Sequence, residues 1–268
     1  MADISNLSNY LKDVADAIRE KKGTEDQIPA ANFDTEIRNL PNGGYLTQDE
    51  YNEAMSDLDY ILGGAIPYTR LAYIDTSGTQ YVNLNLNAFA NMKMNFKFQY
   101  LRDNNTNYNC VLGGRMYTNN KNFGLFLPPP EGNKWFTYSL SENNEIVDTN
   151  VTIPEDVDIF NTDIEVNIDN DQISIAMRGS SYTENVLCPV QSNPGYPIYL
   201  FGMNERNTAC VDRSYVRFYE LKVYNGDSLW RHYVPIVDDR AIPCIYEIIT
   251  DTKLYNSGSG DFISGGAK

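Results

Sequence analysis

The sequence predicts a mainly β protein, a two-layered sandwich preceded by a short helical segment. Three observations carry this. From residue 71 onward, apolar and polar residues alternate over segments of strand length, and turns rich in Asn, Gly and Pro punctuate them at the spacing of a sandwich. Residues 1–64 instead show apolar positions at helical intervals. The chain has 268 residues, enough for one sandwich and one small module.

Leu7, Leu11, Val14, Ala15 and Ile18 recur at helical spacing, with Ser5 placed to cap the start and Gly23 to end it. Phe33, Ile37 and Leu40 form a second apolar stripe before Pro41 and Gly43-Gly44 break it. Thr47-Gln48-Asp49-Glu50 is a capping box, with Leu46 and Tyr51 at the staple positions, so a third helix is specified. Its apolar residues are Tyr51, Ala54, Met55, Leu58, Ile61 and Leu62, and Gly63-Gly64 closes it. These stripes are too small to make an independent core of ordinary stability. The expectation is a module that attaches or oligomerises through Leu7, Leu11, Val14, Ile18, Phe33, Ile37, Tyr51, Met55, Leu58 and Leu62. Residues 65–70 read as a linker, and 71–268 as the sandwich.

Within that body, Met92, Met94, Phe96, Phe98 and Tyr100 alternate with Lys93, Asn95, Lys97 and Gln99, so one face of this strand is buried and the other is not. Ile164, Val166 and Ile168 alternate with acidic and amide residues, and Ile173, Ile175 and Met177 follow a turn at Asn170-Asp171, which predicts a hairpin. Val216, Phe218, Leu221 and Val223 form another buried strand. Asn225-Gly226 then predicts a tight hairpin turn with positive φ at both residues, and Ser228 to Val234 the return strand. Ile242 to Leu254 is rich in β-branched and aromatic residues, and a last short strand is expected around Phe262 and Ile263.

Charge and composition exclude several functions. A net charge of −15 disfavours nucleic acid and anionic membrane surfaces, which need clustered Lys and Arg. No apolar run is long enough to span a bilayer, and the N-terminus lacks the basic start and apolar core of a secretory signal. The four cysteines, Cys110, Cys188, Cys210 and Cys244, are widely separated and only one histidine accompanies them, so neither a disulfide nor a metal site is expected. No cofactor-binding motif is present.

Catalysis has thin support. Asp163, Glu165 and Asp169 alternate onto one side of a strand, as solvated carboxylates usually do, and no Glu-x-Asp-x-x-Glu motif occurs. His232 lies in a strand with no Gly-x-Ser-x-Gly elbow in the chain. Binding has better candidates in the loops, where aromatic rings stand beside amides and a guanidinium: Trp135 after a Pro-rich loop, Tyr117 with Asn119 and Asn120, Tyr182, Tyr196, and Asn204 with Arg206. Flat rings stack on the C–H faces of sugars while amides and guanidinium groups satisfy hydroxyls. Twenty tyrosines mean that some reach loops by composition alone.

Several stretches share motifs with a known group. Arg217 through Gly226, Leu229 through Pro235 and Leu254 through Phe262 resemble the end of laminin-G/concanavalin A-like sandwich domains of phage structural proteins and Firmicutes surface proteins. Tyr73 through Val82 resembles the opening of such domains, with further matches at Val111 through Arg115, Asn122 through Leu125 and Ile198 through Gly202. The family usually has Gly-Leu-Tyr-Asp where this chain has Ile245-Tyr246-Glu247-Ile248. Val14 through Gly23, continuing through Ile28-Pro29 to Asn32 through Ile37, is similar to the short N-terminal module of phage tail and other virion proteins. The resemblance implies a concanavalin A-like jelly roll on a bacteriophage virion protein, made in the bacterial host cytoplasm. It implies other virion proteins as partners of the N-terminal helices, a homo-oligomer (trimeric by analogy with fibre proteins), and a host-surface or environmental glycan as ligand of a non-enzymatic, lectin-like domain. Tail fibre or baseplate receptor binder and head fibre or capsid decoration both fit. A sandwich-fold glycan hydrolase and a ligand-free assembly protein are the alternatives.

Overall fold

The structure is a computed structural model that describes residues 66–103, 108–116, 121–127, 135–142, 145–169, 171–187 and 195–268, together with Lys12, Ala15, Asp16 and Arg19. The chain divides into two compact units, Met1–Pro67 and Tyr68–Lys268. In the first unit the four described residues are helical, and Arg19 is ion-paired with Asp16 one turn away. Leu7, Leu11, Val14, Ile18, Phe33, Ile37, Tyr51, Met55, Leu58 and Leu62 lie outside the described residues.

The second unit is a β-sandwich. Its described strands are, in chain order, β1 (Thr69–Arg70), β2 (Ile74–Asp75), β3 (Val82–Asn83), β4 (Met92–Arg102), β5 (Asn109–Met116), β6 (Lys121–Leu127) and β7 (Trp135–Glu142). There follow β8 (Glu145–Thr152), β9 (Ile164–Ile168), β10 (Gln172–Met177), β11 (Ser180–Asn185), β12 (Tyr199–Leu200) and β13 (Met203–Glu205). The last are β14 (Ala209–Val211), β15 (Tyr215–Asn225), β16 (Ser228–Val237), β17 (Pro243–Glu247), β18 (Thr252–Leu254) and β19 (Ile263–Ser264). The larger sheet runs β11-β10-β9-β4-β15-β16-β17-β18, with β1 on β16, and β2 joining β15 to β19. The smaller runs β14-β13-β5-β6-β7-β8, with β12 paired to β5 and β3 to β12. Thr69 and Arg70, which the sequence assigns to a linker, pair with Val237 and Ile236 and so belong to the sandwich.

Alternation explains the core. In β4, Met92, Met94, Phe96, Phe98 and Tyr100 are each buried between the sheets. The Phe96 and Phe98 rings lie 4.6 Å apart, and Tyr100 reaches Phe136 of the facing sheet at 6.1 Å. Ile164, Val166 and Ile168 of β9 face Ile173, Ile175 and Met177 of β10 across the expected hairpin, all buried. Each such apolar side chain contributes about 1.5–3 kcal/mol on burial. Cys110, Cys210 and Cys244 are buried free thiols, and Cys188 lies outside the described residues.

Two turns depart from the reading of the sequence. In the β15–β16 hairpin, Asn225 pairs with Ser228, so the central residues are Gly226 and Asp227, and positive φ falls on Gly226. That is the primed turn with glycine first, whereas Asn-Gly at both central positions was expected. Tyr182, read as a loop tip, lies within β11 opposite Ile175. Positive φ at both Arg178 and Gly179 closes a two-residue hairpin there, and a mostly exposed strand such as β11 has no apolar alternation to betray it.

Phe98 is fully buried among Phe96, Tyr100 and the strands of both sheets. Phe98→Ala is expected to lower unfolding free energy by about 3–5 kcal/mol, measured by denaturant titration.

Candidate ligand-binding groove

The outer face of the larger sheet is polar because the residues between its buried ones are. β4 presents Asn95, Lys97 and Gln99, and β9 with its approach presents Asp163, Glu165 and Asn167. β15 adds an irregularity. Phe218 pairs with Phe98 and Glu220 with Lys97, so Tyr219 is an extra residue in a β-bulge. A bulge puts two successive side chains on one face. Tyr219 and Glu220 consequently both join the outer surface, where regular alternation would have allowed only one.

These residues surround a groove of about 490 Å³. Lys97, Asp163, Glu165, Ala176, Tyr219 and Glu220 line it, and Arg70, Leu71, Ala72, Gly179 and Lys268 complete its walls. Asp163 Oδ1 accepts hydrogen bonds from Gln99 Nε2 at 2.5 Å and from the Tyr219 hydroxyl at 2.8 Å. Glu165 Oε1 accepts from Asn95 Nδ2 at 2.6 Å, and its Oε2 lies 3.5 Å from Lys97 Nζ. Burial and the bond to Asp163 raise the Tyr219 phenol, so it donates as a neutral hydroxyl.

Glu220 sits deeper, 9% exposed. Its Oε1 is 2.7 Å from His232 Nε2 and 2.9 Å from Lys222 Nζ. Burial opposes its ionisation, but the His232 hydrogen bond and the Lys222 charge outweigh that and hold the carboxyl well below the usual carboxylate range. The backbone N–H of His232 donates to Glu247 Oε1 at 2.9 Å, and Glu247 also takes the N–H groups of Ile249 and Thr250, which fixes the β17–β18 turn. His232 is thus held between two carboxylates, with no nucleophile bonded to it among the described residues. At the border of the face, Arg217 grips Asp75 through two bonds of 2.8 and 2.9 Å and stacks on Tyr73, which clamps β2 to β15.

Of the loop residues singled out from sequence, Tyr182, Tyr196, Asn204 and Arg206 have described side chains, and none of these four lines the groove. Asn204 is fully buried: its Nδ2 donates to the Pro197 carbonyl and Asn207 Oδ1, and its Oδ1 accepts from Asn207 N, so a β13–β14 turn consumes it and leaves nothing for a ligand. Through Pro197 it ties the half-buried Tyr196 to the same edge of the smaller sheet, where Arg206 is exposed beside Glu205. Tyr182 is partly buried on an edge strand of the larger sheet. Trp135 opens β7, and Tyr117, Asn119 and Asn120 lie outside the described residues.

Sequence reasoning missed Tyr219, Arg70 and Glu220 as site residues. Asp163 and Glu165 were noticed as carboxylates on one strand face, yet their meeting with Tyr219 and Glu220 depends on strands about fifty residues away. Asp169 does not line the groove; it lies 3.4 Å from Lys93. Asp238 is buried and accepts from the N–H groups of Arg240 and Ile242 and from the Tyr255 hydroxyl, which makes it a turn residue. Among the described residues no cluster of metal-ligating side chains occurs and no helix is long and apolar enough to cross a membrane.

No protein-family model and no curated protein sequence matches the chain. Among solved structures it is similar to domains LG4-5 of the mouse laminin alpha1 chain (10% identity, 75% of this chain and 47% of that one, TM-score 0.41). It is also similar to the Ruminococcus gnavus IT-sialidase CBM40 bound to alpha2,3 sialyllactose (14% identity, 67% and 95%, TM-score 0.44). A third likeness is to the enzymatically active domain of bacteriophage CBA120 tailspike protein 2 (12% identity, 53% and 23%, TM-score 0.39). The chain spans about half the length of the laminin fragment and under a quarter of the tailspike chain. Likenesses at this level carry neither a ligand nor an activity over to this chain.

The Glu220 shift has a consequence for acid stability. Its folded pKa lies below its ordinary value of 4.5, so its contribution is whole above that pH and is lost as pH falls toward the folded value. The melting temperature of Glu220→Gln is expected to depend less on pH between about 5 and 3 than that of the native protein.

Proposed function

We propose that this chain is a non-enzymatic virion protein of a bacteriophage, attached through its N-terminal module and binding a host-surface or environmental glycan through the sandwich. The observation that supports the ligand best is the groove itself. An open trough of about 490 Å³ offers a tyrosine ring, a lysine and hydrogen-bond-ready carboxylates on a rigid sheet. Sugars need this mixture, with a flat ring against C–H faces and paired acceptors and donors for hydroxyls. A concanavalin A-like jelly roll is the form of sandwich this reading takes. The attachment half rests on the apolar stripes of residues 1–64 and on the motifs shared with virion modules. Homo-oligomerisation belongs to the same reading, because copies of the chain would cover those stripes. Fibre proteins suggest a trimer.

Three carboxylates in one groove favour a second reading, a glycan hydrolase acting with the same particle. A hydrolase needs one carboxyl kept protonated as general acid. Glu220, the most buried of the three, is instead held ionised by His232 and Lys222, and so cannot serve as that acid near neutral pH. Binding without bond cleavage is the reading proposed.

Glycan-array screening of the full-length chain is expected to give saccharide ligands, with Tyr219→Ala weakening the best of them at least tenfold. Release of reducing ends from that ligand, abolished in Glu165→Gln, would replace binding with hydrolysis. Removal of residues 1–64 is expected to leave glycan binding intact and to abolish incorporation into particles, read by quantifying the protein in purified virions. A truncated chain that still assembles would contradict the attachment role.

A further inference from the structure

The groove contains one cation that its surroundings leave unsatisfied. Arg70 Nε is buried and has no hydrogen-bond partner, and no ion pair is formed by Arg70 among the described residues. A guanidinium N–H withdrawn from water without a partner is costly, and native structures normally complete such a group with a water, an ion or a ligand. Three other cations of this face have carboxylates: Lys97 has Glu165, Lys222 has Glu220, and Arg217 has Asp75.

The carboxylates show the complementary pattern. Glu165 and Glu220 each face a lysine. Among the described residues Asp163 is held only by the neutral donors Gln99 and Tyr219, both on Oδ1. Arg70 and Asp163 line the same groove yet form no ion pair with each other. A guanidinium with no carboxylate partner and a carboxylate held by neutral donors thus line one groove of about 490 Å³.

Resting on the glycan-binding reading, we propose that the groove selects a saccharide bearing an anionic substituent, carboxylate or phosphate, seated on Arg70, with ring hydroxyls on Asp163. A planar guanidinium pairs with either anion through parallel N–H bonds, which an ordinary hydroxyl cannot match. The repulsion expected from an acidic chain is limited here, because two of the three groove carboxylates are already neutralised by lysines.

The test uses the full-length protein and three sugar series, gluco, galacto and manno, each as methyl glycoside, methyl uronide and methyl glycoside 6-phosphate, titrated calorimetrically. At least one acidic member is expected to bind tenfold or more tighter than its neutral parent, and the uronide and phosphate arms identify the anion. Arg70→Gln is expected to erase that preference, and Arg70→Lys to keep part of it. Asp163→Asn is expected to weaken neutral and acidic members alike and leave the preference. The strand pairing of Arg70 with Ile236 is made by backbone, so unchanged melting temperatures certify the variants. Binding of neutral and acidic sugars with equal affinity, or an acid preference that survives in Arg70→Gln, overturns this proposal alone. Binding of no member of any series overturns the glycan reading as well.

Discussion

The antiparallel pairing of β4 with β15 is the constraint on which the rest depends. Two eleven-residue strands more than a hundred residues apart in sequence run side by side through the middle of the larger sheet. Their inward side chains, from Met92 to Tyr100 and from Val216 to Val223, fill the centre of the core. Their outward side chains make the floor of the groove. The bulge at Tyr219 links these two duties. It keeps Phe218 and Leu221 on the core side of the strand while turning Tyr219 and Glu220 together to the outside. Without the extra residue, every outward position beyond it would fall on the core side, which burial forbids.

Much of the sandwich was legible because one buried face enforces period-two alternation. Met92 to Tyr100, Ile164 to Ile168 and Ile173 to Met177 announced themselves this way, and the turn residues around Gly226 located the β15–β16 hairpin. β11 did not announce itself, since an edge strand exposed on most positions has no apolar rhythm and its turn, Arg178-Gly179, lacks the Asn-Gly signature. The bulge left one trace that went unread: the buried positions step by three from Phe218 to Leu221, where strict alternation allows only two.

The candidate site was less legible than the fold, and for a different reason. Rings beside amides in turns are a compositional signal, and Asn204 shows its weakness: the amide that suits a sugar hydroxyl also suits a β-turn, and here the turn has it. The groove arises from juxtaposition instead. Gln99 reaches Asp163, Tyr219 reaches the same oxygen, and Lys97 reaches Glu165, all between strands distant in sequence. Outward Lys, Asn and Gln on β4 and outward Asp and Glu on β9 were visible separately, but only the strand order brings them together. Arg70 is the extreme case, a residue of the expected linker that becomes a groove wall because β1 joins the sheet.

A polar face of this kind combines rigidity with solvent access. Hydrogen bonds between neighbouring strands fix each side chain before a ligand arrives, so little conformational entropy remains to be lost on binding. Amide hydrogen exchange of the full-length chain, with and without its tightest-binding saccharide, addresses the location directly. Protection is predicted across residues 95–99, 163–167 and 217–222, on the outer face of the larger sheet. Protection confined instead to residues 117–120 and 196–207 would contradict the account.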